Sequence, residues 1–168
     1  MAVTDHVAVA EKGDRPSFVT GLTQTLIVAA AIVDSLATPR VVLSARRRAP
    51  AELAGRWELP GGKVEAGETP VDALHRELAE ELGLRVNLAD QLPGPLPDDT
   101  WPLVGQLHMA VWWATPIAEG GRSKGRADGI PTAGEAHDEV RWLARGQLWE
   151  IPWLDPDIPI VHAIAERL

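Results

Sequence analysis

The stretch Thr69–Gly83, TPVDALHRELAEELG, constrains the fold more than any other part of the chain, because only a helix accounts for it. Val71, Leu74, Leu78 and Leu82 recur at intervals of three and four with no internal breaker. Both ends are punctuated. Thr69 can cap the first turn with Pro70 as the first helical residue, and Gly83 supplies the left-handed residue that stops it. At about 100° per residue, the four apolar side chains fill an arc of roughly 80°, and Glu77, Glu80 and Glu81 occupy the adjoining roughly 100°.

Three acids on one helix edge repel each other by a few tenths of a kcal/mol per pair, and a lysine four residues on would have been favourable instead. Two readings offset that repulsion. One is a solvated acidic face braced by Arg76, four residues before Glu80. The other is a divalent-metal site, since hard Mg²⁺ or Mn²⁺ takes carboxylate oxygens and keeps positions open for substrate phosphates. The segment in front of the helix favours the second. Trp57-Glu58-Leu59-Pro60-Gly61-Gly62-Lys63 runs from a strand-like segment into a Gly-Gly turn, where backbone can approach a ligand closely and a lysine can reach a phosphate.

Taken together, loop and helix resemble the Nudix hydrolase family. That family's signature is Gly, five residues, Glu, seven residues, Arg-Glu, an aliphatic residue, any residue, Glu-Glu, any residue, Gly and an aliphatic residue. Gly62, Glu68, Arg76, Glu77, Leu78, Glu80, Glu81, Gly83 and Leu84 satisfy every fixed position. A chance match is on the order of one in a billion per start position at average residue usage. The wider run from Leu53 to Glu65, LAGRWELPGGKVE, is similar to the MutT branch, which acts on nucleoside triphosphates.

Composition is compatible with one compact enzyme. With 168 residues and 45% hydrophobic content, the chain suits a single domain. It has no cysteine, hence neither a disulfide framework nor a thiol nucleophile. No signal peptide or membrane span is recognised, the longest apolar run, Leu26 to Val33, being strand-sized, so the expected location is cytoplasmic. A formal charge of −8 argues against binding a nucleic-acid polymer. It leaves a small polyphosphate open as substrate, because bound metal dominates the local field.

Along the chain, residues 1–22 read as a flexible arm and residues 23–168 as the Nudix domain. Thr23–Ser35 and Arg40–Arg46 read as strands joined by the turn 34–39. Further strands are expected from Leu84 to Leu88, from Leu103 to Thr115 and from Glu139 to Leu143, with a terminal helix over Ile158–Leu168. Glu119–Gly134, rich in glycine and basic residues, reads as a mobile loop. A mixed β-sheet between helices fits this order, and the resemblance implies the family's α/β/α sandwich.

Hydrolysing a phosphoanhydride brings water to a polyanion, so metal must cancel oxygen charge and a carboxylate must orient or deprotonate the water. By the resemblance, Glu77, Glu80 and Glu81 hold Mg²⁺, with Mn²⁺ as a substitute, and the Gly61 carbonyl adds a ligand. Lys63 contacts phosphate, Arg76 orients the glutamates and Glu68 hydrogen-bonds within the site. Which carboxylate is the general base stays open. MutT-like enzymes place a further acid just ahead of a His, where this chain has Ala136-His137; the expected stand-in is Glu135, one residue early, against a reading of Glu135 as a plain surface acid. Base recognition is expected from Trp153 and Asp157, an aromatic face and a carboxylate acceptor, with Arg47 as a further candidate for the base or sugar. Core packing is the alternative for Trp153, since the chain has seven tryptophans, one phenylalanine and no tyrosine.

The implied activity is Mg²⁺-dependent cleavage of a nucleoside triphosphate to a monophosphate and pyrophosphate. An oxidised or methylated nucleotide, such as 8-oxo-dGTP or a cytidine triphosphate, is the expected substrate, and the role is nucleotide-pool sanitation. The alternatives are an ADP-ribose or other diphosphate-linked substrate and a non-catalytic nucleotide-binding module of the same fold. A monomer or homodimer is expected.

Overall fold

The computed structural model describes residues 25–117 and 136–168. The arm at 1–22, the loop at 119–134 and Glu135 lie outside the described residues. Two sheets form the middle layer. β1 (Thr25–Ile32) and β7 (Leu107–Pro116) pair in parallel at the centre of the first, with β4 (Gly61–Lys63) outside β1, β5 (Val86–Leu92) outside β7, and β6 (Trp101–Pro102) also on β7. β4 and β5 join antiparallel. The second sheet is β3-β2-β8, from β3 (Trp57–Glu58), β2 (Val41–Arg47) and β8 (His137–Ala144), all antiparallel. The single mixed sheet expected is thus divided, and the chain crosses from one part to the other through the Val33↔Val42 bridge.

Alternation along the strands puts one set of side chains on each side. Val28, Ala30, Ile32, Leu43, Ala45, Ala114 and Val140 pack with Ala73, Leu74, Leu78 and Leu82 of α1 (Pro70–Leu82). Ala29, Ala31, Val33, Val42, Met109, Val111, Trp113 and Leu143 pack on the other side with Ile160, Val161 and Ile164 of α2 (Ile158–Ala165). The result is an α/β/α sandwich whose middle layer is shared by both sheets.

The helix ends are as expected. The Thr69 side chain accepts from the Asp72 N–H at 3.1 Å, Pro70 opens the helix, and Gly83 closes it at φ 60°. Its buried stripe is shifted, since Val71 is 41% exposed and Ala73 is buried instead. A larger correction concerns Gly61-Gly62-Lys63, read as a turn but found as β4, with Ile27↔Lys63, Val28↔Gly62 and Ala29↔Gly61 as partners. A Cβ on Gly61 would stand 2.0 Å from the Val28 carbonyl oxygen. The glycine lets this strand dock against β1, which fixes where the loop meets the helix. The pairs Trp101↔Met109 and Pro102↔His108, and the 3₁₀ turn at Arg145–Glu150, carry no clear periodic signal in the sequence.

Candidate functional site

Arg76 organises the acidic edge of α1. Its Nε and Nη2 donate to the two oxygens of Glu68 at 3.1 and 2.7 Å, and Nη2 also donates to the Lys63 carbonyl at 3.2 Å. Nη1 donates to Glu77 at 3.0 Å and to Glu80 at 3.3 Å. One planar fork therefore ties β4, the loop and two helical glutamates together, a task a lysine point charge cannot copy. The Glu68 hydrogen bonds, followed by the one to Glu77, raise the guanidinium's proton affinity, and hydrogen bonding to Arg76 in turn lowers the Glu68 pKa. Glu68 also accepts from the Glu65 N–H at 2.7 Å, closing the loop on itself.

The acids sit where the helix least favours them. Glu80 and Glu81 lie in the last turn, at the negative end of the macrodipole, with no basic residue in that turn. Glu80 is open to solvent, its side chain 62% exposed. Glu81 turns inward, and burial, reinforced by the Glu58 and Glu77 charges and opposed by His137, raises its pKa from 4.5 to about 7. Its Oε2 is buried without a hydrogen-bond partner among the described residues. Glu77 lies over Gly62, where a Cβ would come within 2.2 Å of its carboxyl carbon. Gly62 is thereby the floor beneath a carboxylate.

Among the described residues, no three acidic or histidine side chains converge closely enough to hold a cation as they stand. Arg76 draws Glu77 and Glu80 to itself instead. The donor set nevertheless suits a hard divalent ion, being carboxylate throughout, with a buried unpartnered oxygen on Glu81 and bare glycine backbone opposite Glu77.

A signature, a sandwich and a braced acid edge converge with the comparison to known sequences, in which the NUDIX domain family matches residues 25–164. The chain belongs to the Nudix family. It is 40% identical, over 85% of its length and 89% of the relative's, to a Mycobacterium tuberculosis protein that bears 8-oxo-dGTP diphosphatase 2 as a provisional name. It is 29% identical to the Escherichia coli CTP pyrophosphohydrolase, over 73% of this chain and 80% of that one. Among solved structures, the E. coli ORF135 protein superposes with a TM-score of 0.60 at 26% identity, covering 84% of this chain and 89% of the other. Relatives and signature together make this Nudix protein a pyrophosphohydrolase enzyme. Among the described residues, no helix is long and apolar enough to cross a membrane.

The signature residues Gly62, Glu68, Arg76, Glu77, Glu80 and Glu81 lie on β4, on α1 and on the loop between them, with Gly61 beside Gly62 and Lys63 exposed at the end of β4. The residues expected to read the base do not present themselves that way. Trp153 is 3% exposed, inside the α2-side core, and its indole N–H donates to the Leu148 carbonyl at 2.5 Å. It is a core residue here, and its face is taken by packing. Asp157 is 2% exposed and accepts from the Leu59 N–H at 2.9 Å, which anchors the segment leading into β4. Burial pushes its pKa up to about 7. Arg47 is engaged by Glu58, donating to both carboxylate oxygens at 2.9 and 2.8 Å. That pair faces α1 together with His137, whose Nε2 lies 2.8 Å from Glu58. Neither Glu58 nor His137 was singled out from the sequence. The signal for Glu58 is its place opposite Ala45 of β2, on the α1-facing side.

Proposed function

We propose that this Nudix enzyme hydrolyses a nucleoside triphosphate to the monophosphate and pyrophosphate with Mg²⁺, for which Mn²⁺ substitutes, and that an oxidised purine nucleotide of the 8-oxo-dGTP type is its substrate. The observation that carries the reading is the acid edge of α1. Three carboxylates share one edge of the helix, two of them in its last turn against the macrodipole: a single arginine holds Glu77 and Glu80, and Glu81 is buried with an unpartnered oxygen. A solvated face would need neither the burial of Glu81 nor the glycine floor under Glu77.

Glu77, Glu80, Glu81 and the Gly61 carbonyl would hold the ion, with Glu135 as a further ligand. When bound, it withdraws charge from the anhydride oxygens and acidifies a water. The chain's own groups do the rest. Lys63, exposed beside the glycines, meets a phosphate oxygen; Arg76 keeps the carboxylates in register; and the glycine backbone lets the polyphosphate come close. Asp157 and Arg47 are the groups proposed to meet the base and sugar. Asp157 does so only if the segment above it opens, since Leu59 and the core enclose it now. The names of the relatives support the substrate class, one for 8-oxo-dGTP and one for CTP.

Pyrophosphate release from a panel of 8-oxo-dGTP, dGTP, CTP, methylated CTP and ADP-ribose, with Mg²⁺, tests the proposal. Glu80→Gln and Glu81→Gln should each lose turnover by a hundredfold or more. Unchanged turnover in both removes the assigned site, and preference for ADP-ribose removes the substrate class. A non-catalytic module would show no turnover on any of these together with no metal-dependent thermal stabilisation.

A further inference from the structure

Along β2 and β8, the pairs Leu43↔Trp142 and Ala45↔Val140 face α1. Continued alternation would bring Asp138 to that face next. Instead the register shifts between Arg46 and Arg47, so that Arg46 pairs with Glu139 and Arg47 with His137. This bulge sends Asp138 outward, where it pairs with Arg46 at 2.7 Å, and turns His137 inward. The imidazole is 1% exposed. Its Nε2 is 2.8 Å from Glu58 Oε1, and Glu58 is gripped in turn by Arg47. On the far side of the ring, Nδ1 lies 3.7 Å from Glu81 Oε2. Both of those atoms are buried and lack a hydrogen-bond partner among the described residues.

We propose that His137 is the positioning residue of Glu81: tied through Nε2 to the Glu58–Arg47 pair, it sets Nδ1 against the Glu81 carboxylate and fixes the direction in which that carboxylate faces a divalent cation. A buried polar atom without a partner costs about 1–3 kcal/mol. Two such atoms pointing at each other across a short gap are explained if the contact closes when the site is loaded. The ring is rigid and anchored to a second sheet, so it can transmit the stiffness of β2 and β8 to a side chain on α1. Outer partners of this kind set the orientation of metal-holding carboxylates, and their loss lowers metal affinity by about 10–100-fold. The inference rests on the reading of Glu81 as a metal-holding residue.

Its test is the dissociation constant of Mn²⁺ for the metal-free full-length chain, read from the electron paramagnetic resonance signal of the free ion. Wild type, His137→Phe, His137→Asn and Glu81→Gln are compared. His137→Phe keeps the ring volume and should weaken Mn²⁺ by about 10–100-fold. His137→Asn restores a polar group near Nδ1 and should recover part of that loss, which a purely space-filling role would not produce. Weakened binding in Glu81→Gln beside unchanged binding in His137→Phe overturns the positioning role and leaves the metal assignment standing. Unchanged binding in both overturns the two together. Should His137→Phe fail to fold, the ring nitrogen resonances of ¹⁵N-histidine-labelled wild type decide, with and without Mg²⁺. A shift of His137 Nδ1 with Nε2 held is expected, and no change at either nitrogen overturns the proposal.

Discussion

Replacing Glu81 by glutamine should make the metal-free protein more stable while removing its activity. The carboxyl's pKa is raised on folding from 4.5 to about 7, first by burial and then by the Glu58 and Glu77 charges. A raised carboxyl favours protonated folded protein, so the contribution of this one group to the stability of the metal-free protein is greatest below about 4.5 and is lost as pH rises through about 7. At about 1.4 kcal/mol per tenfold change in proton affinity, that displacement sets a ceiling of about 3 kcal/mol. The side chain is still 19% exposed, and solvent screening brings the expected gain to about 1–2 kcal/mol. Glutamine keeps the shape, carries no charge and offers an N–H to the unpartnered His137 Nδ1. Urea unfolding in chelator should therefore show Glu81→Gln ahead of wild type by about 1–2 kcal/mol at pH 8, equivalent to about 2–8 °C in Tm. The difference should shrink towards zero at pH 5, where wild type is protonated too. A variant less stable at pH 8, or a gain of equal size at pH 5, would refute the reasoning.

Gly61→Ala places a Cβ against the Val28 carbonyl and Ala29 Cα, so it should cost several kcal/mol in unfolding experiments by prising β4 from β1. For Gly62→Ala the three atoms nearest the new Cβ all belong to the movable Glu77 carboxylate, so it should leave Tm within a few degrees and lower kcat at least tenfold. Arg76→Lys cannot reach Glu68, Glu77, Glu80 and the Lys63 carbonyl together, and turnover should fall by about 10²-fold with helical circular dichroism retained. Trp153→Ala should destabilise by about 3–5 kcal/mol as a core truncation, measured by denaturant midpoint; a change in KM without loss of stability would return Trp153 to the substrate.

What was readable in the sequence is what local chemistry determines. Thr69, Pro70 and Gly83 act within one turn of themselves, and the leucines of α1 keep a helical period, so helix and acidic edge were both legible. Gly61-Gly62 was not legible as a strand, because the preference of glycine for turns is intrinsic and its docking on β1 is a tertiary event. His137 was hidden for a similar reason. Its direction depends on a register slip between two strands some ninety residues apart in the chain, and without that slip Asp138 would occupy the inward position. Trp153 and Asp157 show the converse limit: residue type states what a side chain could contact, whereas burial by Leu148, Leu59 and the α2-side core decides what it does contact.

The acids of α1 stand where local preference disfavours them. They oppose the helix dipole, repel one another, and bury one carboxylate at the expense of its charge. The chain supports them from three directions, with Arg76 on the helix, the glycine strand β4 beneath, and the Arg47–Glu58–His137 group reaching over from the second sheet. Dividing the middle layer into two sheets makes that possible, since one helix can then be flanked by β4 on one sheet and by β3 and β8 on the other. Stability lost at the site is recovered in the two apolar layers around it. A substitution that stabilises the metal-free protein while abolishing turnover is therefore expected at Glu81, and not at Leu74 or Leu78, where packing and function pull the same way.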